Sequence, residues 1–218
     1  SSLQQTANTY DTRGLLTKRA LIASSTTQSV VQYDYDNARR PTCTALRMNA
    51  SIFGSLPGSA CTAGTAGSYG PDRITHKTYD AADQVTQFRT AYTVSGQEQM
   101  EVEKDYDANG RVSELVDAKS NETEKNRDAY GRLDTVTYAD SSEEEYSYDA
   151  ASNVTGVVQR NNSSVSLTYD NLNRTTLDFA GVADSYDHLG RVLTLSKSGH
   201  TVTRTWDALG GLVSEAGP

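Results

Sequence analysis

The sequence predicts an all-β protein, built from antiparallel β-hairpin repeats in a spiralling sheet that forms a repeat solenoid or a segment of a shell. Three observations support this prediction. A Tyr-Asp motif recurs along the chain, each repeat contains two turn signals, and the segments between turns alternate polar and apolar residues. Such alternation is typical of strands that bury one face and expose the other.

The composition favours a structure with a thin core. The chain has 218 residues, of which 36% are hydrophobic, and its 13 tyrosines must supply much of the apolar surface. An elongated β-structure therefore fits better than a compact globule or a disordered chain. The net charge of -8 argues against a nucleic-acid partner, and no apolar run is long enough for a membrane span.

The Tyr-Asp motif is far more frequent than chance allows. The tyrosine and aspartate contents predict about one Tyr-Asp dipeptide, whereas the sequence contains eight. Seven of them, with one Arg-Asp and one Trp-Asp variant, form a series whose period is near 21 residues in the second half. We predict structural roles for the residues of this series: Tyr10, Asp11, Tyr35, Asp36, Tyr79, Asp80, Tyr106, Asp107, Asp128, Tyr148, Asp149, Tyr169, Asp170, Tyr186, Asp187, Trp206 and Asp207.

Each motif predicts a hairpin turn. In the pattern Y-D-x-x-G-R the Asp can bond backbone two residues on, and the Gly tolerates positive φ. Arg39, Asp83, Ser152 and Asn173 replace that Gly in four motifs, and Arg39 and Ser152 adopt positive φ least readily. A second turn, for example Lys197-Ser198-Gly199-His200, follows about ten residues later, so each repeat is a strand pair.

The strands that enter the motifs show the alternation most clearly. Val165, Leu167 and Tyr169 share one face, and Val31 precedes Tyr33 and Tyr35 in the same pattern. We therefore expect the motif aromatics to form a ladder on one face, with neighbouring rings about 4.5–7 Å apart. The expected ladder contains Tyr106, Tyr148, Tyr169, Tyr186 and Trp206.

An insertion interrupts the repeats early in the chain, where the spacing between Asp36 and Asp80 reaches 44 residues. We predict repeats one and two in 1–40, an insertion loop in 41–71 and repeats three to nine in 72–218, all within one continuous repeat domain. The chain's two cysteines, Cys43 and Cys61, both lie in the insertion. A disulfide that pins this loop is our prediction, and two separate thiols are the alternative.

The motifs YDANGRV and YDHLGRV resemble the RHS/YD-repeat family, and the resemblance extends from Tyr10 to the C-terminus. This family includes polymorphic toxins, C-components of insecticidal toxin complexes, wall-associated proteins and animal teneurins. The resemblance implies a spiralling sheet that often closes into a hollow shell. The Cys-bearing stretch is similar to an insertion in YD-repeat proteins of environmental Gram-negative bacteria. Toxin-bearing members end in a cap with a self-cleavage site, whereas WDALGGLVSEAGP is another repeat.

We expect a non-enzymatic protein without cofactor or metal. His76, His188 and His200 fall in different repeats, and no catalytic or metal-ligand spacing emerges. The first hypothesis is a secreted or cell-surface scaffold that encloses, displays or spaces an associated domain. The alternative is an extracellular fibre or adhesin that assembles, or binds glycans, through open sheet edges.

The candidate partners follow from these two hypotheses. They are further repeats of the same longer chain, other copies head to tail, glycans, or an enclosed toxin. Because the sequence starts at Ser1 and stops at Pro218 within the repeat pattern, we expect it to be a segment of a longer polypeptide.

Overall fold

The computed structural model describes residues 4–217, which form nineteen strands and one three-residue 3-10 helix. The predicted all-β class with antiparallel pairing is confirmed. By the contacts between its residues the chain divides into two compact units, Ser1–Thr123 and Glu124–Pro218. Each unit is described by itself below.

Unit 1 is a sheet in which each strand pairs antiparallel with the next one along the chain. Thr, Val and Tyr recur in its strands, and these residue types favour extended backbone. Its strands are β1 (Gln4–Tyr10), β2 (Leu16–Ala23), β3 (Thr26–Tyr35), β4 (Pro41–Arg47), β5 (Arg73–Tyr79), β6 (Val85–Thr90), β7 (Gln99–Tyr106) and β8 (Val112–Asp117).

The residues between β4 and β5 leave the sheet and fold back over it. They contain the 3-10 helix Ala50–Ile52, whose first turn is capped by the Asn49 side chain. The first residues of the predicted insertion form strand β4 itself, which pairs with both β3 and β5. The domain boundaries inferred from the sequence stay a prediction.

The core of unit 1 lies beneath this segment. Cys43, Ala45, Ala60 and Ile74 pack together there and are at most 1% exposed. Val30 of β3 is equally buried. The alternation in β3 predicted that the face of Val31 would be buried and the opposite face wet. The most buried residue of β3, Val30, instead lies on the opposite face, and the segment after β4 contacts Gln32 and Asp34 of that face.

Unit 2 contains two sheets with antiparallel pairing. Strand β9 (Glu122–Arg127) spans the division between the units. The first sheet of unit 2 continues with β10 (Leu133–Tyr138), β11 (Glu143–Tyr148), β12 (Val154–Val158) and β13 (Ser164–Ser166). The second contains β14 (Thr168–Tyr169), β15 (Thr175–Leu177), β16 (Ala183–Tyr186), β17 (Val192–Lys197), β18 (His200–Trp206) and β19 (Leu212–Ala216).

The strand predicted through Val165, Leu167 and Tyr169 is interrupted at Leu167. Residues on either side of Leu167 pair with different sheets, although the three side chains are still less exposed than Ser166 and Thr168. Val136 and Leu167, each 5% exposed, are the buried hydrophobic residues among the described part of unit 2. The thin core that the composition predicts for the chain is most pronounced in this unit.

Candidate functional site

The motif aspartates organise the turns. In Asp187, Oδ1 accepts hydrogen bonds from the backbone N–H groups of Leu189 and Arg191, both at 2.9 Å. The Gly190 N–H donates to the Asp187 carbonyl at 3.0 Å, with a φ of +85° at Gly190. The same pair of carboxylate bonds forms at Asp11, Asp80, Asp107, Asp128, Asp149, Asp170 and Asp207.

Every motif lies at the end of a strand. The aromatic or basic residue before each Asp is the last residue of β1, β3, β5, β7, β9, β11, β14, β16 or β18. Arg39 and Ser152 both adopt a φ of +68° at the position that Gly occupies in other motifs. The carboxylate bonds of the preceding Asp hold the backbone in this conformation despite the cost for a side chain with Cβ.

The arginine that ends many motifs links one turn to the next. Arg132 donates through Nε to Asp128 at 2.7 Å, and through Nη1 to the backbone carbonyl of Asp149 in the next motif at 3.2 Å. Its guanidinium also lies 4.3 Å from the ring centroid of Tyr148. The same three contacts recur at Arg40, Arg174 and Arg191.

The motif aromatic makes a second link between turns. The Tyr148 hydroxyl donates to the carbonyl of Leu133, five residues after the preceding motif Asp, at 2.7 Å. Trp206 makes the equivalent bond through Nε1 to the carbonyl of Val192 at 2.8 Å. The same bond at the same offset is made by Tyr35, Tyr79, Tyr106 and Tyr186.

The expected contact between the rings of neighbouring motif aromatics is wrong. Among residues 4–217 the stacked ring pair is His76 with Tyr92, and no two motif aromatics stack. The arginine of the preceding motif covers the face of the ring instead, as Arg174 does at Tyr186. A cation over an aromatic face is attracted electrostatically, and the same arginine satisfies two oxygens, which a second ring could not do.

The electrostatics of the turns favour ionised aspartates. Hydrogen bonds from the Arg40 backbone N–H, and then from its side chain, outweigh desolvation and lower the pKa of Asp36. The Arg174 side chain has the largest effect on Asp170, whose pKa is also lowered. A carboxylate that accepts several N–H bonds is stabilised in its charged form. The turns are therefore strongest when the aspartates are ionised.

Two further aspartates, missed by the sequence reasoning, build the same turn at the other ends of hairpins. Asp117 accepts from the backbone of Lys119 and Asn121, and Asp178 accepts from the backbone of Ala180 and Val182. An Asp three residues before a Ser or Gly was the available sequence signal, and Ser120 and Gly181 at these positions both adopt positive φ in the structure. It was hidden because no Tyr precedes either Asp.

The segment between β4 and β5 is held by a second kind of site, which we call the clasp. Cys43 and Cys61 form the predicted disulfide, with their Cα atoms 5.2 Å apart. Beside it, Arg47 donates to Asp72 at 2.6 Å, and these two side chains are 0% and 1% exposed. Sequence reasoning did not single out either residue, because nothing in the local pattern distinguishes them from surface charges.

All three side-chain nitrogens of Arg47 donate hydrogen bonds within the clasp. Its Nη1 donates to the Thr62 carbonyl at 2.8 Å, and its Nη2 donates to the Ser59 carbonyl at 2.9 Å and to Gln32 Oε1 on β3 at 2.7 Å. Asp72 in turn accepts from the backbone N–H groups of Met48 and Gly64. Buried charges require such pairing. The clasp therefore ties three stretches of backbone to one ion pair.

The three histidines occupy unrelated positions. His76 lies on β5 and stacks on Tyr92, with 4.1 Å between ring centroids. Burial, followed by the nearby Arg89, lowers its pKa. His188 and His200 are exposed, the first within a motif turn and the second at the start of β18. No helix within residues 4–217 is long and apolar enough to cross a membrane.

Several solved structures of toxin-complex proteins are similar to this chain. A crystal structure of TcdB2-TccC3 is 13% identical with a TM-score of 0.39, and the match covers 97% of this chain and 16% of that one. A structure of the Photorhabdus luminescens Tc holotoxin pore is 13% identical with a TM-score of 0.40, and the match covers 100% of this chain and 14% of that one. The chain thus spans only a small part of those proteins' length.

No curated protein sequence matches the chain. Residues 69–216, more than half of the chain, match the family model described as Teneurin YD-shell. This range contains the motif turns from Tyr79 to Trp206 and the arginine and aromatic links between them. The recurrent motif and this match together identify the family, as the resemblance of the sequence predicted. The chain belongs to the Teneurin YD-shell family.

Proposed function

We propose that this chain is a structural segment of a β-scaffold, secreted or at the cell surface, that encloses, displays or spaces an associated domain. The observation that carries the proposal is the uniform link between successive motif turns. Arg174 and Arg191, for example, bond their own Asp, the next Asp carbonyl and the next aromatic ring in the same way. A structure stabilised between neighbouring repeats can be extended without a central core, which suits a wall or spacer.

The aspartate and arginine side chains of the motifs form hydrogen bonds that stabilise the turns. The aspartates accept backbone N–H bonds, and the arginines are bonded on two sides, so these residues have a structural use. Membership of a shell family supports a scaffold rather than a catalyst. The disulfide supports an oxidising, extracellular location.

The alternative proposal is a fibre that grows through open sheet edges. The two proposals differ at strand β19, the last strand of its sheet, whose residues are exposed, including Val213 at 65%. An exposed edge strand offers unpaired backbone groups to another chain. Further repeats of the same polypeptide would cover this edge in a scaffold, whereas another copy would cover it in a fibre.

Light scattering and electron microscopy of the purified chain, across a wide concentration range, separate the two proposals. The scaffold proposal expects a monomer at every concentration. The fibre proposal expects filaments that the edge-blunting variant Val213→Lys shortens, while the control Val213→Thr keeps strand propensity and leaves them unchanged. Concentration-dependent filaments with that response would overturn the scaffold proposal.

A further inference from the structure

The second sheet of unit 2 carries a row of exposed leucines along one rim. Leu172, Leu189 and Leu209 lie in the turns β14–β15, β16–β17 and β18–β19, and they are 69%, 63% and 98% exposed. Each occupies the same position, two residues after the motif Asp. We call these residues the leucine rim.

The turn itself does not require leucine. At this position only the backbone N–H is used, and it donates to the motif Asp in each case, for example Leu189 to Asp187 at 2.9 Å. Ala82 and Ala151 make the same bond from the same position in other turns. The turn therefore does not account for three large apolar side chains at successive tips, and a row of exposed apolar side chains along one rim is typical of a contact surface.

We propose that the leucine rim docks one amphipathic α-helix of the associated domain. The proposal rests on the scaffold function proposed above and names the kind of segment that the scaffold holds. Successive tips lie two strands apart, about 9.6 Å. A helix presents the same face every seven residues, about 10.5 Å. Three leucines can thus enter three successive holes between helix side chains, in the manner of knobs into holes.

Other occupants fit less well. A β-strand lying along the rim repeats one face at about 6.6 or 13.2 Å, neither of which matches the tips. A polyproline helix repeats at about 9.3 Å, but its usual receptor is a groove lined with aromatic rings, and the rim consists of leucines. A second copy meeting rim to rim would bury far less than the roughly 800 Å² per partner of a stable dimer.

The charges along the rim indicate which end of the helix should carry a basic residue. Asp170 and Asp187 are paired with Arg174 and Arg191, so the first two tips carry no unbalanced charge. At the third tip Gly211 stands where the arginine would be, and Asp207 accepts only backbone N–H groups among the described residues. The helix should therefore carry apolar residues along its length and a Lys or Arg beside Asp207.

The test is a binding titration with a synthetic probe. The probe is a helical peptide of about 22 residues, long enough for three heptad repeats, with Leu at every seventh position and Lys near the end that meets Asp207. Its partners in the assay are the native chain and the triple variant Leu172→Asn, Leu189→Asn, Leu209→Asn, which places at each tip the residue that Asn109 shows to be tolerated. Phe179→Asn, at an exposed site of a different turn, is the matched control.

Fluorescence anisotropy should show micromolar binding that weakens at least about tenfold in the triple variant and is unchanged in the control. Equal binding by a scrambled peptide, preferential binding of a Pro-Leu-Pro repeat peptide, or dimerisation that the triple variant abolishes would overturn the helix assignment. A chain that forms filaments and still binds the probe would overturn the scaffold function alone. A monomeric chain that does not bind it would overturn this inference alone.

Discussion

The clasp in unit 1 and the linked turns, which occur in both units, are stabilised in opposite ways. The clasp concentrates its bonds on a buried ion pair and a disulfide over a packed core. The linked turns repeat one modest set of partly exposed contacts, and only Val136 and Leu167 of the described unit 2 hydrophobic residues are fully buried. A sheet extended by repeats can rely on many small, equal contributions, whereas an irregular excursion needs a few large ones.

The largest expected effect comes from breaking the buried ion pair. Replacing Asp72 with Ala leaves the Arg47 guanidinium buried without its counter-charge, and such changes cost about 3–5 kcal/mol. We expect this loss in the free energy of unfolding measured by urea denaturation. Arg204→Ala removes an exposed ion pair with Glu215 and should cost less than about 1 kcal/mol. Similar losses for both variants would contradict the contrast drawn between the two regions.

The second-largest expected effect on stability comes from removing the disulfide. Cys43→Ala combined with Cys61→Ala opens a loop of 18 residues, which costs about 3 kcal/mol in the loop-entropy model. Hydrogen exchange should localise this loss to β4 and β5 and leave the amide protection of β16 to β18 unchanged. Equal loss of protection in both regions would show that the clasp supports the whole chain.

The linked turns were far more predictable than the clasp, for a physical reason. A turn is specified by adjacent residues, so Asp187 and Gly190 could be interpreted from their spacing alone. The sequence motif contains the arginine that covers each ring, such as Arg174. The motif does not indicate that this arginine contacts the aromatic residue of the next repeat. The Arg47–Asp72 pair joins positions 25 residues apart, and no local pattern encodes such a contact.

The third prediction tests a single link between turns. Tyr148→Phe removes the bond to the Leu133 carbonyl while keeping the ring under Arg132, and we expect a loss of about 1 kcal/mol. Because Tyr148 is only half-buried, replacement with Ala should cost less than the roughly 3–5 kcal/mol expected for a fully buried ring. Tyr130→Phe, at a tyrosine that is 85% exposed, is the control and should leave the urea midpoint unchanged.

The fourth prediction concerns acid. The pKa values of Asp36, Asp107 and Asp170 are lowered in the folded chain, so their stabilising contribution is complete above the ordinary aspartate range. It is lost as the pH falls below about 4 through the folded values. A urea-denaturation series across this range should show stability falling with pH. The variant Asp170→Asn should be less stable at neutral pH and should lose less on acidification, and a slope equal to that of the native chain would contradict the assignment.

The smallest effect should come from Asp184, whose behaviour is opposite to that of the motif aspartates. Burial, followed by the charge of Asp178, raises its pKa, and its Oδ1 is a buried oxygen without a hydrogen-bond partner among the described residues. Folding therefore favours the protonated form, so this residue costs stability above its folded pKa and less as the pH falls through that value. Asp184→Asn removes the charge at nearly constant shape, and we expect a rise of at most about 0.5 kcal/mol at neutral pH. The gain should vanish in acid, where the native Asp184 is also neutral. A variant that is less stable than the native chain at neutral pH would instead mean that the Asp184 charge has a partner in solution.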